Sequence, residues 1–414
     1  MQLEEQFHVS DRTKLRQWMP WLSLFRSFRI SIGPRALLLG IVAALLIDLG
    51  GQLIQQLPFA AGTNPSAGYF QPITSVTPRA YAIPPQALAI RPIETLQVSA
   101  SHSEVMVRPL WTVVASCQLL FGEQRSWSML ATVWSHLLWA LIVWGLFGVA
   151  ISRMAAVRFA ADKSVGIRPS LRFSIEKLPA ALAAPILPLL GVGFLWLLCL
   201  GGGLVGRIPA VGPVIVGVMW WLPLLLATMM TLILLGLAAG WPLMLSSIGT
   251  EDADSFDAFS RAYSYLFSRP WYALFLMTLA LLYGSLLLTF VATVLQLLMP
   301  LAEWSIASGM GVEQTRELLQ LGGDNPGMAT SAARFWHKVA SLGLVGFVVS
   351  YFWTATTIIY FLLRKSVDGM PLETVSERVS NTAHALPVVG VAAAEQREAN
   401  STDENADPAP ETTD

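Results

Sequence analysis

Ile208 to Gly249 reads IPAVGPVIVGVMWWLPLLLATMMTLILLGLAAGWPLMLSSIG, and it contains no charged residue. A helix crossing roughly 30 Å of hydrocarbon needs about 20 apolar residues, because only a helix satisfies its own backbone groups there. At about 1.5 Å per residue, this stretch is too long for a single upright crossing. Pro213, Pro223 and Pro242 offer places to break it. We read a short interfacial or re-entrant piece ending near Trp220 and Trp221, followed by one span. Two crossings would reverse the sidedness of everything downstream.

Working outward, the same length test picks out Ala36–Leu57, Met129–Ile151, Ala180–Leu204, Tyr272–Ala302 and Val339–Leu363, with Val214–Ser247 as the fourth of six. The expected fold class is all-α, a polytopic transmembrane helix bundle of about six spans with short amphipathic interfacial helices. Composition agrees: the chain is 54% hydrophobic and only 13% charged, against about one quarter charged in soluble domains. A net charge of −1 gives no sign of nucleic-acid binding. The lipid bilayer, and possible membrane subunits beside it, are the expected partners.

Lys and Arg set the orientation. Residues 1–35 form a basic amphipathic segment with Arg12, Lys14, Arg16, Arg26, Arg29 and Arg35. On a six-span reading this segment shares a side with Arg153, Arg158, Lys163, Arg168, Arg172 and Lys177, and with Arg261, Arg269, Arg364 and Lys365. The positive-inside bias makes that side cytosolic, so a multi-pass inner-membrane protein with both termini inside is expected. The polar start lacks the apolar core of a cleavable signal, and the first span is expected to act as an uncleaved signal-anchor. Cys117 and Cys199 fall in an external loop and a span, which disfavours a disulfide. The Pro-rich loop 58–128 is expected to be largely extended, with Arg108–Phe121 lying at the external interface, and the acidic tail 370–414 to be largely disordered.

Each odd-numbered span follows a short amphipathic segment ending in proline: Trp21–Pro34, Ser170–Pro179 and Phe256–Pro270. In the third, Asp252, Asp254 and Asp257 crowd a helix start and Arg261 follows Asp257 at i,i+4. Phe256, Phe259, Tyr263 and Phe267 recur on one face, marking a candidate amphipathic helix docked on the bundle. The aspartates lack the length and glycine of a calcium loop.

Asp48 is an ionisable side chain inside the first span, where an uncompensated charge costs several kcal/mol. His136 lies at comparable depth on the next span, so the two form a candidate intramembrane polar pair. It reads either as a proton- or ion-handling site or, preferably, as a feature that fixes packing or meets local water. Ser285, Thr289, Thr293 and Gln296, with Ser350, Thr354 and Thr357, form polar stripes on the last two spans. They read as interhelical packing, with a hydrated path as the alternative. Gly236-x-x-x-Gly240 and Gly201–Gly203 read as sites of close helix approach. No phosphate-cradling glycine loop, His-Glu-x-x-His, Gly-x-Ser-x-Gly or Cys/His metal set occurs, so no cofactor, metal or catalytic residue is expected.

WGLFGVAISR (144–153), GWPLM (240–244), FDAFSRAYSY (256–265), Arg269-Pro270-Trp271 and LRKSVDG (363–369) resemble a group of uncharacterised multi-spanning membrane proteins of planctomycete bacteria. That resemblance covers most of the chain from Arg108 to Gly369 and implies an inner-membrane location, with no site residue to carry over. Phe256–Arg269 also resembles the membrane domain attached to some glycerophosphodiester phosphodiesterases, which implies architecture and no hydrolase activity. The expected function is a non-enzymatic scaffold or accessory subunit. The alternative is a small transporter or permease subunit using Asp48, His136 and the polar faces of the last two spans.

Overall fold

The computed structural model describes residues 19–60, 72–84, 90–120, 126–319 and 327–375. The first eighteen residues and the acidic tail beyond 375 lie outside these. After a 3-10 turn at Pro20–Phe25 come α1 (Arg26–Ser31) and the first spanning helix, α2 (Pro34–Gln55). The connection that follows carries α3 (Pro92–Ser101), α4 (Ser103–Met106) and α5 (Arg108–Leu120). Then follow α6 (Trp127–Ala161), α7 (Ile167–Val205), α8 (Gly212–Val218), α9 (Trp221–Glu251) and α10 (Ser255–Ser268), and finally α11 (Pro270–Met310), α12 (Val312–Leu318) and α13 (Met328–Asp368). Six of these, α2, α6, α7, α9, α11 and α13, are long and apolar enough to cross a membrane. The protein is a polytopic α-helical bundle, and no strand occurs among the described residues.

The charge-free stretch holds one helix long and apolar enough to cross. Its early part forms α8, the chain turns at Met219 and Trp220, and Trp220 is the N-cap of α9. Pro34 and Pro270 stand at the first position of α2 and α11, where the missing N–H would have had no partner. The second amphipathic segment departs from expectation. Ser170–Pro179 is no separate element but the opening of the continuous 39-residue α7, with Pro179, Pro185 and Pro188 inside it. A spanning helix tolerates such prolines when neighbours take up the freed carbonyls.

Two ends of the bundle differ in packing. At the basic face, where Arg26, Arg158, Lys177 and Arg364 lie, α13 is surrounded on all sides. Trp353 packs on Trp144 of α6 and Trp241 of α9, with ring centroids 5.9 and 5.8 Å apart, and Phe361 lies 5.3 Å from Phe159. Tyr351 donates to Ala280 O of α11 at 2.7 Å. Against α2 the backbones meet directly: a Cβ on Gly40 would sit 2.7 Å from Gly346 O. At the opposite, loop face, α7 and α9 form a hairpin with Phe194, Trp196, Trp220, Trp221 and Leu224 turned outward. An apolar surface of this kind is what lipid covers. Gly201, Gly202 and Gly203 lie on this hairpin with nothing within 4 Å of an added Cβ, so they are not a packing site.

The 58–128 connection is also not the extended loop its prolines suggested. Its described part is mostly helical and sinks between the spans. Met106 and Val105 are fully buried, and a Cβ on Gly284 of α11 would lie 3.1 Å from Met106 Sδ. Thr112 of α5 accepts from Trp144 Nε1 at 2.9 Å, well inside α6. Arg108–Leu120 therefore enters the bundle instead of resting on its surface. Its apolar face is satisfied by helices, which a test for spanning length cannot detect.

Candidate functional site

Between α2, α5 and α6 lies a cavity of about 760 Å³, within the range of small-molecule pockets. Asp48, Gln52, Gln55, Glu104, Arg108, Thr112 and His136 supply its polar lining, with Trp111 and Trp139 as walls. The candidate pair Asp48 and His136 thus shares one cavity. The hydrogen bonds that Asp48 accepts come from elsewhere: from Ile73 N at 2.9 Å, Thr74 N at 2.8 Å and the Thr74 hydroxyl. Three donors offset the cost of placing a carboxylate in the span, and they tie the 3-10 turn Ile73–Ser75 to α2. His136 is 8% exposed and faces Gly51 across the helix contact.

Sequence reasoning missed Glu104 and Arg108. Both sit on the connection, and their only mark in the sequence is a charge four residues from its opposite just before an apolar run. Arg108 donates to Ser75 Oγ at 3.0 Å and Pro72 O at 3.3 Å, so it closes one wall of the cavity. Nearby His102 packs edge-on against Tyr81 and lies 3.4 Å from Thr289 Oγ1. Burial pushes its pKa below the usual histidine value, with Glu104 opposing.

The polar stripes of the last two spans do not join this cavity. Ser285, Thr289 and Thr293 donate to Leu282 O, Ser285 O and Thr289 O, and Thr293 also exchanges hydrogen bonds with the backbone of Ile83. Ser350 donates to Ser31 O at 2.8 Å and Thr357 to Trp353 O at 2.7 Å. Gln296 is half-buried on α11. Of these, the Thr293–Ile83 and Ser350–Ser31 bonds join separate elements, whereas the Ser285, Thr289 and Thr357 hydroxyls donate within their own helix.

Toward the basic face the cavity meets a packed body closed by charges. Glu251, at the end of α9, pairs with Arg364 of α13 at 2.6 Å and with Arg261 of α10. Lys177 of α7 pairs with Asp252 at 2.8 Å, and Arg153 donates to Gly249 O at 3.3 Å. Arg261 also pairs with Asp257 at 3.2 Å, one turn back on the same helix. Helix α10 buries Ala258, Ala262 and Tyr265; on its aromatic face Phe259 and Tyr263 are half-buried, whereas Phe256 and Phe267 are 67% and 50% exposed. Phe256, Phe259, Tyr263 and Phe267 stack as a ladder, and Tyr263 and Phe267 lie over Gly236 of α9. The Tyr263 hydroxyl donates to Ile233 O at 2.7 Å, and that of Tyr265 to Asp368. Burial pushes the Tyr265 pKa up to about 12, with the Asp368 carboxylate adding to the effect. The aspartates around residue 254 form no metal cluster, and none exists among the described residues.

Neither a protein-family model, nor a curated protein, nor a solved structure matches the chain. Geometry alone therefore carries the functional reading.

Proposed function

We propose that this chain is a non-enzymatic scaffold or accessory subunit of a bacterial inner membrane, with its basic face and both termini in the cytosol. The closed basic half supports this reading. Trp144, Trp241, Leu243, Met244, Trp353 and Phe361 are all buried between the cavity and the Glu251 ion pairs. The excess of Lys and Arg at this face supports the orientation. A second reading, a permease subunit that binds a polar solute from the loop face, rests on the cavity lined by Asp48, Glu104, Arg108 and His136.

Thiol labelling separates the two. In a background with Cys117 and Cys199 replaced by Ser, Gln52→Cys should react with a membrane-impermeant maleimide added at the loop face. Ser246→Cys lies in the closed half, 3.5 Å from Thr357 in the wild type. A scaffold leaves it unreactive from either side, with or without an imposed proton gradient. Gradient-dependent labelling of Ser246→Cys from the basic face would show that the closed half opens, and the permease reading would replace ours. Mild-detergent purification should also retain a stoichiometric partner.

A further inference from the structure

At the basic face a second cavity, of about 210 Å³, lies where the start of α2 meets the end of α6 and the middle of α13. Its polar lining comes from Arg35, Arg158, Ser164 and Thr354 and from the backbone at Gly33–Ala36, with no carboxylate among the lining residues. We infer that this cavity binds the phosphate group of an anionic ligand. This inference goes beyond the scaffold reading and does not depend on it.

Three independent features converge there. Helix α2 is 22 residues long, and no side chain caps its N-terminus. Leu37 N bonds to Gly33 O, and among the described residues nothing accepts from the N–H groups of Arg35 and Ala36 at the positive end of the helix dipole. Second, the Arg158 guanidinium lies across that end: a Cβ on Gly33 would sit 3.0 Å from Arg158 Nη1. Neighbouring Arg26 and Arg29 share Asp162, but among the described residues neither Arg158 nor Arg35 has a carboxylate partner. Arg35 donates to Val165 O at 3.2 Å.

Thr354 supplies the third feature, and it points to a ligand. It is 0% exposed, lines the cavity, and its hydroxyl has no hydrogen-bond partner among the described residues. Threonines in helices ordinarily donate to the carbonyl four residues back, and Thr356 and Thr357 do so here at 2.8 and 2.7 Å. A buried hydroxyl that forgoes this bond is disfavoured unless something else accepts its proton. Two guanidinium groups, two open amides and a hydroxyl offer more donors than a carboxylate's two oxygens take up well. A phosphate's oxygens accept them, with guanidinium forks matching their geometry. The cavity is smaller than a whole-ligand pocket, so it holds the phosphate while the rest of the molecule stays outside. Arg35 and Arg158 stand where spanning helices emerge, at the level of phospholipid headgroups, and Ile30 and Met154 add an apolar border. The same chemistry would take a soluble phosphate.

The test uses the full chain purified in detergent. Native mass spectrometry measures retention of phosphatidylglycerol against phosphatidylcholine, and thermal unfolding is followed with sodium phosphate against sodium chloride at matched ionic strength. Thr354→Val and Arg158→Gln are the variants. Because the Thr354 hydroxyl has no partner among the described residues, Thr354→Val should fold with an unchanged or higher midpoint in the absence of ligand. It should nevertheless retain phosphatidylglycerol about tenfold less well than the wild type, the loss expected for one charge-assisted hydrogen bond. Arg158→Gln should lose as much or more. Preferential phosphatidylglycerol retention that both variants weaken identifies a lipid headgroup site. Stabilisation by sodium phosphate alone, abolished by Thr354→Val, identifies a soluble phosphate site, and either result supports the inference. Equal binding of both probes by wild type and Thr354→Val, or a lowered ligand-free midpoint for Thr354→Val, overturns it.

Discussion

Glu251 holds three helices at one point, so removing its charge gives the sharpest test of the closed basic half. Its two oxygens pair with Arg364 at 2.6 Å and with Arg261. The side chains of Arg364 and Glu251 are 3% and 13% exposed, whereas Arg261 is 37% exposed. Glu251→Gln keeps the size and leaves the two guanidinium groups facing a neutral amide. Breaking a buried pair from one side costs about 3 to 5 kcal/mol. The Arg261 half is screened by solvent and adds less than about 1 kcal/mol. Arg364 keeps its bonds to Pro371 O, Thr374 O and Thr374 Oγ1, which soften the loss, so about 3 kcal/mol is expected. In detergent this should appear as a fall of several degrees in the unfolding midpoint. Asp254→Asn is the control, because that side chain is 89% exposed beside Lys177. The double variant Glu251→Gln/Arg364→Met should cost less than the sum of the single changes, since each removes the same contact. If Glu251→Gln unfolds with Asp254→Asn and the wild type, or if the double variant is additive, the charge cluster does not hold the basic half closed.

Two further outcomes follow from particular contacts. A Cβ on Gly346 would lie 2.8 Å from Leu37 O and 2.6 Å from Ile41 Cγ1, whereas one on Gly343, a turn away, meets nothing within 4 Å. Gly346→Ala should therefore lower stability by about 1 to 3 kcal/mol, with the backbone as the obstacle. Gly343→Ala should be neutral or slightly stabilising, and equal midpoints for the two would refute the close approach of α2 and α13. His102 titrates below its ordinary value of 6.5 in the fold. The fold therefore favours the neutral ring: its contribution is fully present above pH 6.5 and is lost as pH falls through the lower folded value. Hydrogen exchange across residues 92–106 should quicken at pH 5 relative to pH 8, and His102→Phe should remove that difference.

The spans were legible because each is a single run whose length and apolarity are local properties. The turn at Trp220 was legible for the same reason, as a pair of interfacial aromatics beside a proline. Asp48 announced itself as a charge in need of compensation. Its partners could not be read, because two of its three donors are backbone N–H groups of a loop with no sequence signature. The α3–α5 connection was misread for a related reason. Its runs are too short to span and its prolines favour extended chain, yet burial against other helices demands neither length nor spanning periodicity. On α10 the aromatic face was assigned to the contact; Tyr263 and Phe267 do lie on α9, but the most buried positions are Ala258, Ala262 and Tyr265, which the spacing of large residues did not mark. The Glu251–Arg364 pair joins residues 113 positions apart, and no local pattern announces such a contact.

The two halves of the bundle are held by different forces, and this decides where it can yield. Lipid tails are as apolar as leucine, so burying apolar side chains between spans gains little over leaving them in the bilayer. Close packing and polar bonds carry the association instead. The basic half has both: interlocked aromatic rings around α13 and charge pairs shielded from water. The connection in the loop half is held more thinly, by Asp48 on Thr74, Arg108 on Ser75, Thr293 on Ile83 and Thr112 on Trp144. Asp48, Arg108 and Thr112 line the cavity, so water there competes for their bonds. Amide hydrogens of the α3–α5 connection should therefore exchange faster than those of α13 around Trp353, and equal rates would refute this difference in hold.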